Sequence, residues 1–513
     1  MSLRNLFGLA IGAWLAMLAF QSVVGPWDGY ATGYLQIAGA RIALGPLLHG
    51  WLAPFAEATL SAPATRVAYV CLLLSACSVN TWLVARLRRA GEPELLRLRS
   101  WLIATTALLW ALAFFDLPHL SNDLYLYQTY GDMLERGLNP YVAIPQRHLP
   151  AEALAGIPWT AQPSAYGPAA LLMFRAASAL GAGTALGFWL LKLFVVLPWA
   201  TLLLVVSRTQ ALAPAERLAA LAWLGLNPLL LLEMTQNAHL ESWTGPILLL
   251  TVLLLRRRGA AWAAGAGLCV GLVGAFKLSL LVVAPAVFVD LFRPAASDRS
   301  RSERLRASIA FTATLLATLA LCYLPLWQGL ATFDGLRAES QKVLLSPYFV
   351  LSLAFGLSAP FVQALGLLGT ALALIAGAWV RWRGLPLEVA LITALVVQAL
   401  LGRTFLHSWY LCPPLILMAL LRCYDAPRRR ELAMRVRMAL CDEVFWLVFS
   451  VSAIVGRYAI VVLAQNRGDA AQTQSVLCML LPPLIYAILV DRSHAPERTS
   501  ARRKRPTGAS GQR

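Results

Sequence analysis

The chain has 513 residues, 59% hydrophobic and only 13% charged, with a net charge of +18. A soluble domain carries roughly one-quarter charged residues, so a soluble globular protein is excluded, and continuous apolar runs rather than alternating ones exclude a membrane β-barrel. The positive charge does not point to nucleic acid, because the arginines gather in short loops between apolar runs, as the positive-inside rule requires.

Apolar runs of bilayer-spanning length predict helices near 5–25, 66–85, 101–117, 185–207, 217–235, 242–255, 260–276, 278–292, 307–326, 361–380, 386–401, 408–422, 443–463 and 474–490. These number about fourteen, and the fold class they predict is all-α, a polytopic transmembrane helix bundle. The first run follows Arg4 and reads as an uncleaved anchor. Basic loops around residues 86–99, 256–258, 293–306 and 422–430 then all fall on the cytoplasmic side, with both termini. That pairing leaves no span for residues 166–180, YGPAALLMFRAASAL, a short segment with Arg175 at its middle. It is expected to lie flat on the membrane as an interfacial helix. The largest external loop therefore covers residues 118–184. Further external loops run over residues 25–65 and 327–360, the latter with its own flat helix near 347–357. Four parts follow: N-terminal helices with a basic loop (1–100), a core carrying the large loop (101–292), C-terminal helices (293–490) and a disordered basic tail (491–513) that touches anionic lipid. The cysteines lie mostly in apolar runs without a CxxC pair and read as small core packers.

Chemistry concentrates in the large loop. The stretch SNDLYLYQTYGDMLERGLNPY places Asp123 just beyond an apolar run, where Ser121 or Asn122 could cap a helix running through Tyr130. In the first turn of that helix the dipole favours an ionised carboxylate. Tyr125, Tyr127, Tyr130 and Asp132 follow, then a sharp turn through Gly137, Asn139 and Tyr141. Aromatic rings beside acids suit a sugar, with rings against its C–H faces and acids accepting from its hydroxyls; tyrosines also form membrane-interface belts. A second constellation, NPLLLLEMTQNAHLES, holds Glu233 inside an apolar run and His239 and Glu241 beyond it. An intramembrane acid is costly and so suspected of function; the bland alternative is a polar bond between helices. His239 and Glu241, two residues apart, do not share a helical face and alone make only a weak metal site, which Asp123 could complete. Cations form the third group: Lys192 inside an apolar helix, Lys277 at a helix junction, Arg175 and Arg403. A buried lysine needs an anion, which a lipid phosphate could supply; snorkelling is the alternative for Lys192 and Arg175. The run His407-Ser408-Trp409-Tyr410 reads as an interfacial anchor rather than a substrate wall.

These segments, in this order, resemble the GT-C membrane glycosyltransferases, and most nearly the polyprenol-phosphate-mannose-dependent alpha-1,6-mannopyranosyltransferases. The resemblance rests on Asp123 in a Ser-x-Asp-x-Tyr start, the turn from Gly137 to Tyr141, Tyr166-Gly167-Pro168, and Asn227-Pro228-Leu229 leading to His239. It covers roughly residues 100–290; the chain departs from it where Leu240-Glu241-Ser242 follows His239 in place of Asn-Asp. The resemblance implies transfer of a hexose, mannose in that family, from a polyprenyl-phosphate sugar to a glycan or glycolipid acceptor, with inversion. It implies a multi-pass protein of the bacterial cytoplasmic membrane, in contact with membrane lipid, with its active site on the outer face. Asp123 would be the catalytic base. Tyr125, Tyr127, Asp132, Asn139, Tyr141, Tyr166, Glu233, His239, Glu241, Arg175, Lys192, Lys277 and Arg403 would bind substrate. No cofactor is fixed; a divalent metal could share in stabilising the leaving phosphate. The other reading of a polytopic bundle with interior charges is a transporter or lipid-linked-sugar flippase, which should show paired broken helices or a repeat; the sequence shows neither.

Overall fold

A computed structural model describes residues 2–24, 62–116, 118, 121–154, 157, 159–181, 185–208, 212–293, 300–421, 443–460 and 468–493. The predicted loop over 25–65 falls almost wholly outside these residues, as do the basic cluster at 422–430, Arg299 and the tail beyond residue 493. The described residues form helices joined by turns, with two isolated β-bridges and no strand. Five helices are long and apolar enough to cross a membrane: Val67–Leu87, Leu186–Arg208, Arg301–Leu326, Ala359–Trp382 and Asp469–Ile488. A bent pair, Pro214–Leu226 with Pro228–Gln236, makes a sixth candidate. Shorter apolar helices occupy the remaining predicted spans, among them Leu3–Met17, Arg99–Phe115, Glu241–Leu255, Ala260–Phe276 and Leu387–Leu401. Polytopic helical architecture is therefore what the apolar runs produce.

Local chemistry sets the helix boundaries. Ser300 and Glu303 cap one another at the start of Arg301–Tyr323, the side chain of each accepting from the other's amide at 3.2 and 2.8 Å. Pro228 carries no N–H for the preceding turn, so the helix Pro214–Leu226 stops and the chain bends by 52°. Asn227 restarts it, its side-chain oxygen accepting from the amides of Leu229 and Leu230 at 3.0 and 3.3 Å. The six residues Leu231–Gln236 then form a π-helical turn, wider by one residue than an α-turn.

Burial divides the bundle. Central helices such as Leu387–Leu401 are covered nearly all round. Peripheral helices show bare apolar faces, with Leu321 and Leu367 70% and 73% exposed, the pattern of a surface met by acyl chains. The loop segment beginning at Ser121 is not a loose excursion. Its helix, Asp123–Glu135, packs along Pro168–Gly181, the helix predicted to lie flat. Tyr127 stacks on Phe174 across that contact, with ring centroids 4.6 Å apart. The second predicted flat helix is present as Pro347–Phe355.

Candidate active site

The Asp123 helix begins where Ser121 Oγ accepts from the Asp123 amide at 3.2 Å; Asn122 stands at the capping position without a side-chain cap bond. The helix runs to Glu135, beyond the expected Tyr130. Gly137 (φ 74°) then turns the chain in the left-handed region, and the Asn139 side chain fixes the next turn by accepting from the Tyr141 amide at 3.0 Å. The Asn139 amide nitrogen also donates to the carbonyl of Leu326 (3.0 Å), tying this loop to the end of a distant helix. Tyr141 donates to the carbonyl of Tyr166 (3.0 Å). Asn139 and Tyr141 thus hold the segment that presents Tyr166.

Gly167 carries that segment to its neighbour. Its amide donates to the carbonyl of Phe276 at 3.0 Å, and an added Cβ would run into the Ala275 backbone. Only glycine permits this approach. It sets Tyr166 beside Lys277, which directly follows the helix Ala260–Phe276. Tyr166 then donates to Asp123 Oδ2 at 3.3 Å. Burial and then the Asp123 charge push the Tyr166 hydroxyl well above its ordinary pKa, so it remains a donor.

Opposite Asp123 stands His239, wholly buried. Its Nδ1 lies 3.4 Å from Asp123 Oδ2 and its Nε2 3.3 Å from Glu233 Oε2, ion-pair contacts rather than aligned hydrogen bonds. The Glu233 carboxylate also accepts from Ser408 Oγ (2.5 Å) and from the Asn237 side chain (3.0 Å). The His239 ring stacks on Trp409 at 3.9 Å, and Trp409 stacks on His407 at 3.8 Å. Burial alone would lower the His239 pKa, but the two carboxylates outweigh it and raise it to about 9. Burial likewise acts to raise the Asp123 pKa; His239 outweighs it, with Lys277 and Tyr166 assisting, and the carboxyl ends below its ordinary value. His407 goes the other way: burial, then the charges of Arg457, His239, Lys277 and Arg403, keep it neutral.

A pocket opens over these groups. It is lined by Asp123, Tyr127, Tyr130, Tyr166 and Leu240, by Lys277, Ser279, Arg403 and Tyr410, and by Trp159, Gln162 and Glu339. Lys277 pairs with Glu241 at 2.5 Å, while Arg403 is bonded to Ser279. Both cations lie over the Tyr410 ring, at 4.2 and 4.1 Å from its centroid. Burial lowers the Lys277 pKa more than Glu241 raises it, and the Arg403 charge adds to the fall. Among the described residues no three His, Cys, Asp or Glu side chains are disposed to hold a metal ion.

The remaining predicted residues sit elsewhere. Tyr125 stacks on Phe188 (5.6 Å) away from the pocket, and Asp132 is not among the lining residues. Arg175 pairs with Glu135 at 2.8 Å on the surface. Lys192 does not snorkel: it is wholly buried, donates to the carbonyls of Ala113 (3.3 Å) and Asp116, and lies 5.6 Å from the rings of Phe114 and Trp189. The expected anchor at 407–410 is instead pocket wall for His407, Trp409 and Tyr410, and Ser408 braces Glu233. Trp159 and Glu339 carried no sequence signal of their own.

The fold and site define a polytopic helical membrane protein whose polar pocket is lined by the Asp123 carboxylate and two cations. The chain belongs to the alpha-(1→6)-mannopyranosyltransferase family, whose N-terminal-domain profile matches residues 30–293, more than half of its length. It is thus a mannosyltransferase. No curated protein matches it.

Proposed function

We propose that this mannosyltransferase takes its sugar from a polyprenyl-phosphate mannose donor and passes it to a hydroxyl of a glycan or glycolipid acceptor. The reaction occurs at the outer face of the bacterial cytoplasmic membrane, where the donor's tail stays among lipid. Asp123 is the general base. As the acceptor oxygen bonds to the anomeric carbon, the bond from that carbon to the phosphate oxygen breaks, and the acceptor proton passes to Asp123. One displacement inverts the anomeric centre. Polyprenyl phosphate departs with the electron pair, its charge met by Lys277 and Arg403.

The observation that carries this reading is the sharing of one pocket by Asp123, Lys277 and Arg403. A base without cations would suit many hydroxyl acceptors; cations in the same pocket suit a phosphate leaving group. Tyr166 and Trp159 offer rings to the sugar's C–H faces. The division of the chain into an N-terminal part, a core over 101–292, C-terminal helices and a tail is proposed on the same footing.

The test is transfer from a panel of polyprenyl-phosphate sugars by purified protein, read by mass analysis of product. The mannosyl donor should serve. Asp123→Asn should reduce transfer by about 10²–10⁴-fold while membrane insertion is unchanged. Transfer by Asp123→Asn at the unsubstituted rate would overturn the base assignment.

A further inference from the structure

We propose that His239 and Glu233 are positioning residues, a buried imidazole and carboxylate that back Asp123 and keep it ionised and aimed into the pocket. The proposal rests on the base assignment above and deepens it. Three groups stand in a row from pocket to bundle interior: Asp123, His239, Glu233. Only the first reaches the pocket, its side chain 17% exposed while the other two are fully buried.

Each link is fixed from more than one side. Glu233 receives Ser408 on one oxygen and Asn237 on the other, the latter also facing His239. The backbone repeats the tie. The π turn carries the chain past Gln236, Ala238 adopts the left-handed region at φ 53°, and the His239 amide donates to the Glu233 carbonyl at 2.9 Å. A non-glycine residue is disfavoured in that region, and this geometry retains it. π turns that interrupt α-helices are frequent at functional sites.

The charge pattern gives the row its purpose. A lone carboxylate in a buried site takes up a proton instead of staying charged. Two carboxylates facing one imidazole make the imidazolium the favoured state, and its stack on Trp409 favours the cation further. The other charges near His239 do not replace it. His407, beyond Trp409, is neutral; Arg457 lies 5.8 Å from the outer Trp409 ring. Lys277 and Arg403 face the pocket, with Glu241 bound to Lys277. When the acceptor proton reaches Asp123, the His239–Glu233 pair keeps its own charges. The proton then leaves Asp123 to water with product release, and the row is restored.

The experiment measures kcat/KM against pH for the purified full chain, His239→Gln and Glu233→Gln, with polyprenyl-phosphate mannose as donor, and a thermal melt of each. For His239→Gln the acidic limb should move to higher pH by about one unit or more, with kcat down roughly tenfold or more and donor KM little changed. Glu233→Gln retains the acceptor oxygen for Ser408 and should move the alkaline limb to lower pH, because His239 loses one of its two anions. Limbs in their original places in both variants, with rate losses matching lost folded fraction, would overturn the proposal and leave a packing role only. If His239→Gln does not fold, the Glu233→Gln limb decides alone: a downward move supports the row and no move overturns it. Asp123→Asn run in parallel separates the two failures. An inactive Asp123→Asn with static limbs in the others sinks only the positioning role; an active one sinks the base assignment itself.

Discussion

At His239 folding changes the affinity for a proton, and stability must follow. The imidazole pKa rises from its ordinary 6.5 to about 9 in the folded chain. Below the unfolded value both states hold the proton, and the stabilisation from the two carboxylates is fully present. As pH climbs through the folded value the native state gives the proton up and that stabilisation is lost. Lys277, whose pKa falls on burial, contributes with the opposite slope. The difference between the unsubstituted chain and His239→Gln isolates His239: the melting temperature should drop between pH 7 and 9.5 in the former and drop less in the variant, as followed in detergent. Much of this site was legible residue by residue. Asp123, Glu233, His239, Lys277 and Arg403 stood out because charge is conspicuous in apolar sequence. Their grouping was not legible, since Asp123 and His239 lie far apart in the chain and meet only through helix packing. Glu339 and Trp159 stayed hidden because an acid and an aromatic residue in an external loop are ordinary.

Among the elements, the junction at Tyr166-Gly167-Pro168 governs how the loop sits on the bundle. Gly167→Ala would force its new methyl into the Ala275 backbone. Overpacking of this kind costs about 1–3 kcal/mol, and relief by moving the loop would draw Tyr166 off Asp123. The variant should therefore melt lower and also lose transfer, measured in paired melting and rate assays; Gly137, turned in open space, offers no such coupling. The apolar run over 217–235 reads as one span, whereas the chain bends by 52° after Leu226, because Pro228 lacks the N–H that would continue the helix. The π turn after it left no mark in the sequence either. Six residues are too few for a widened turn to show in hydrophobic period.

For the whole molecule, described helix stands in each predicted span, from Leu3–Val24 to Asp469–Ser493, with residues 217–235 divided by the bend at Pro228. Hydropathy sees them because a bilayer leaves the backbone no partner but itself. Orientation rests on arginine placement alone, and cysteine labelling tests it. Val142→Cys, in the large loop and exposed, should react with an impermeant reagent on intact cells. Arg306→Cys, in the segment around the Ser300 cap, should react only after lysis. Labelling of both from one side would reverse the proposed arrangement.

The burial of the Lys192 side chain has a consequence for biogenesis. Its acceptors, the carbonyls of Ala113 and Asp116, belong to a stretch of chain synthesised well before it. A lysine within an inserting segment is disfavoured when it meets hydrocarbon alone. Entry into the lipid beside the earlier segment would spare Lys192 that cost.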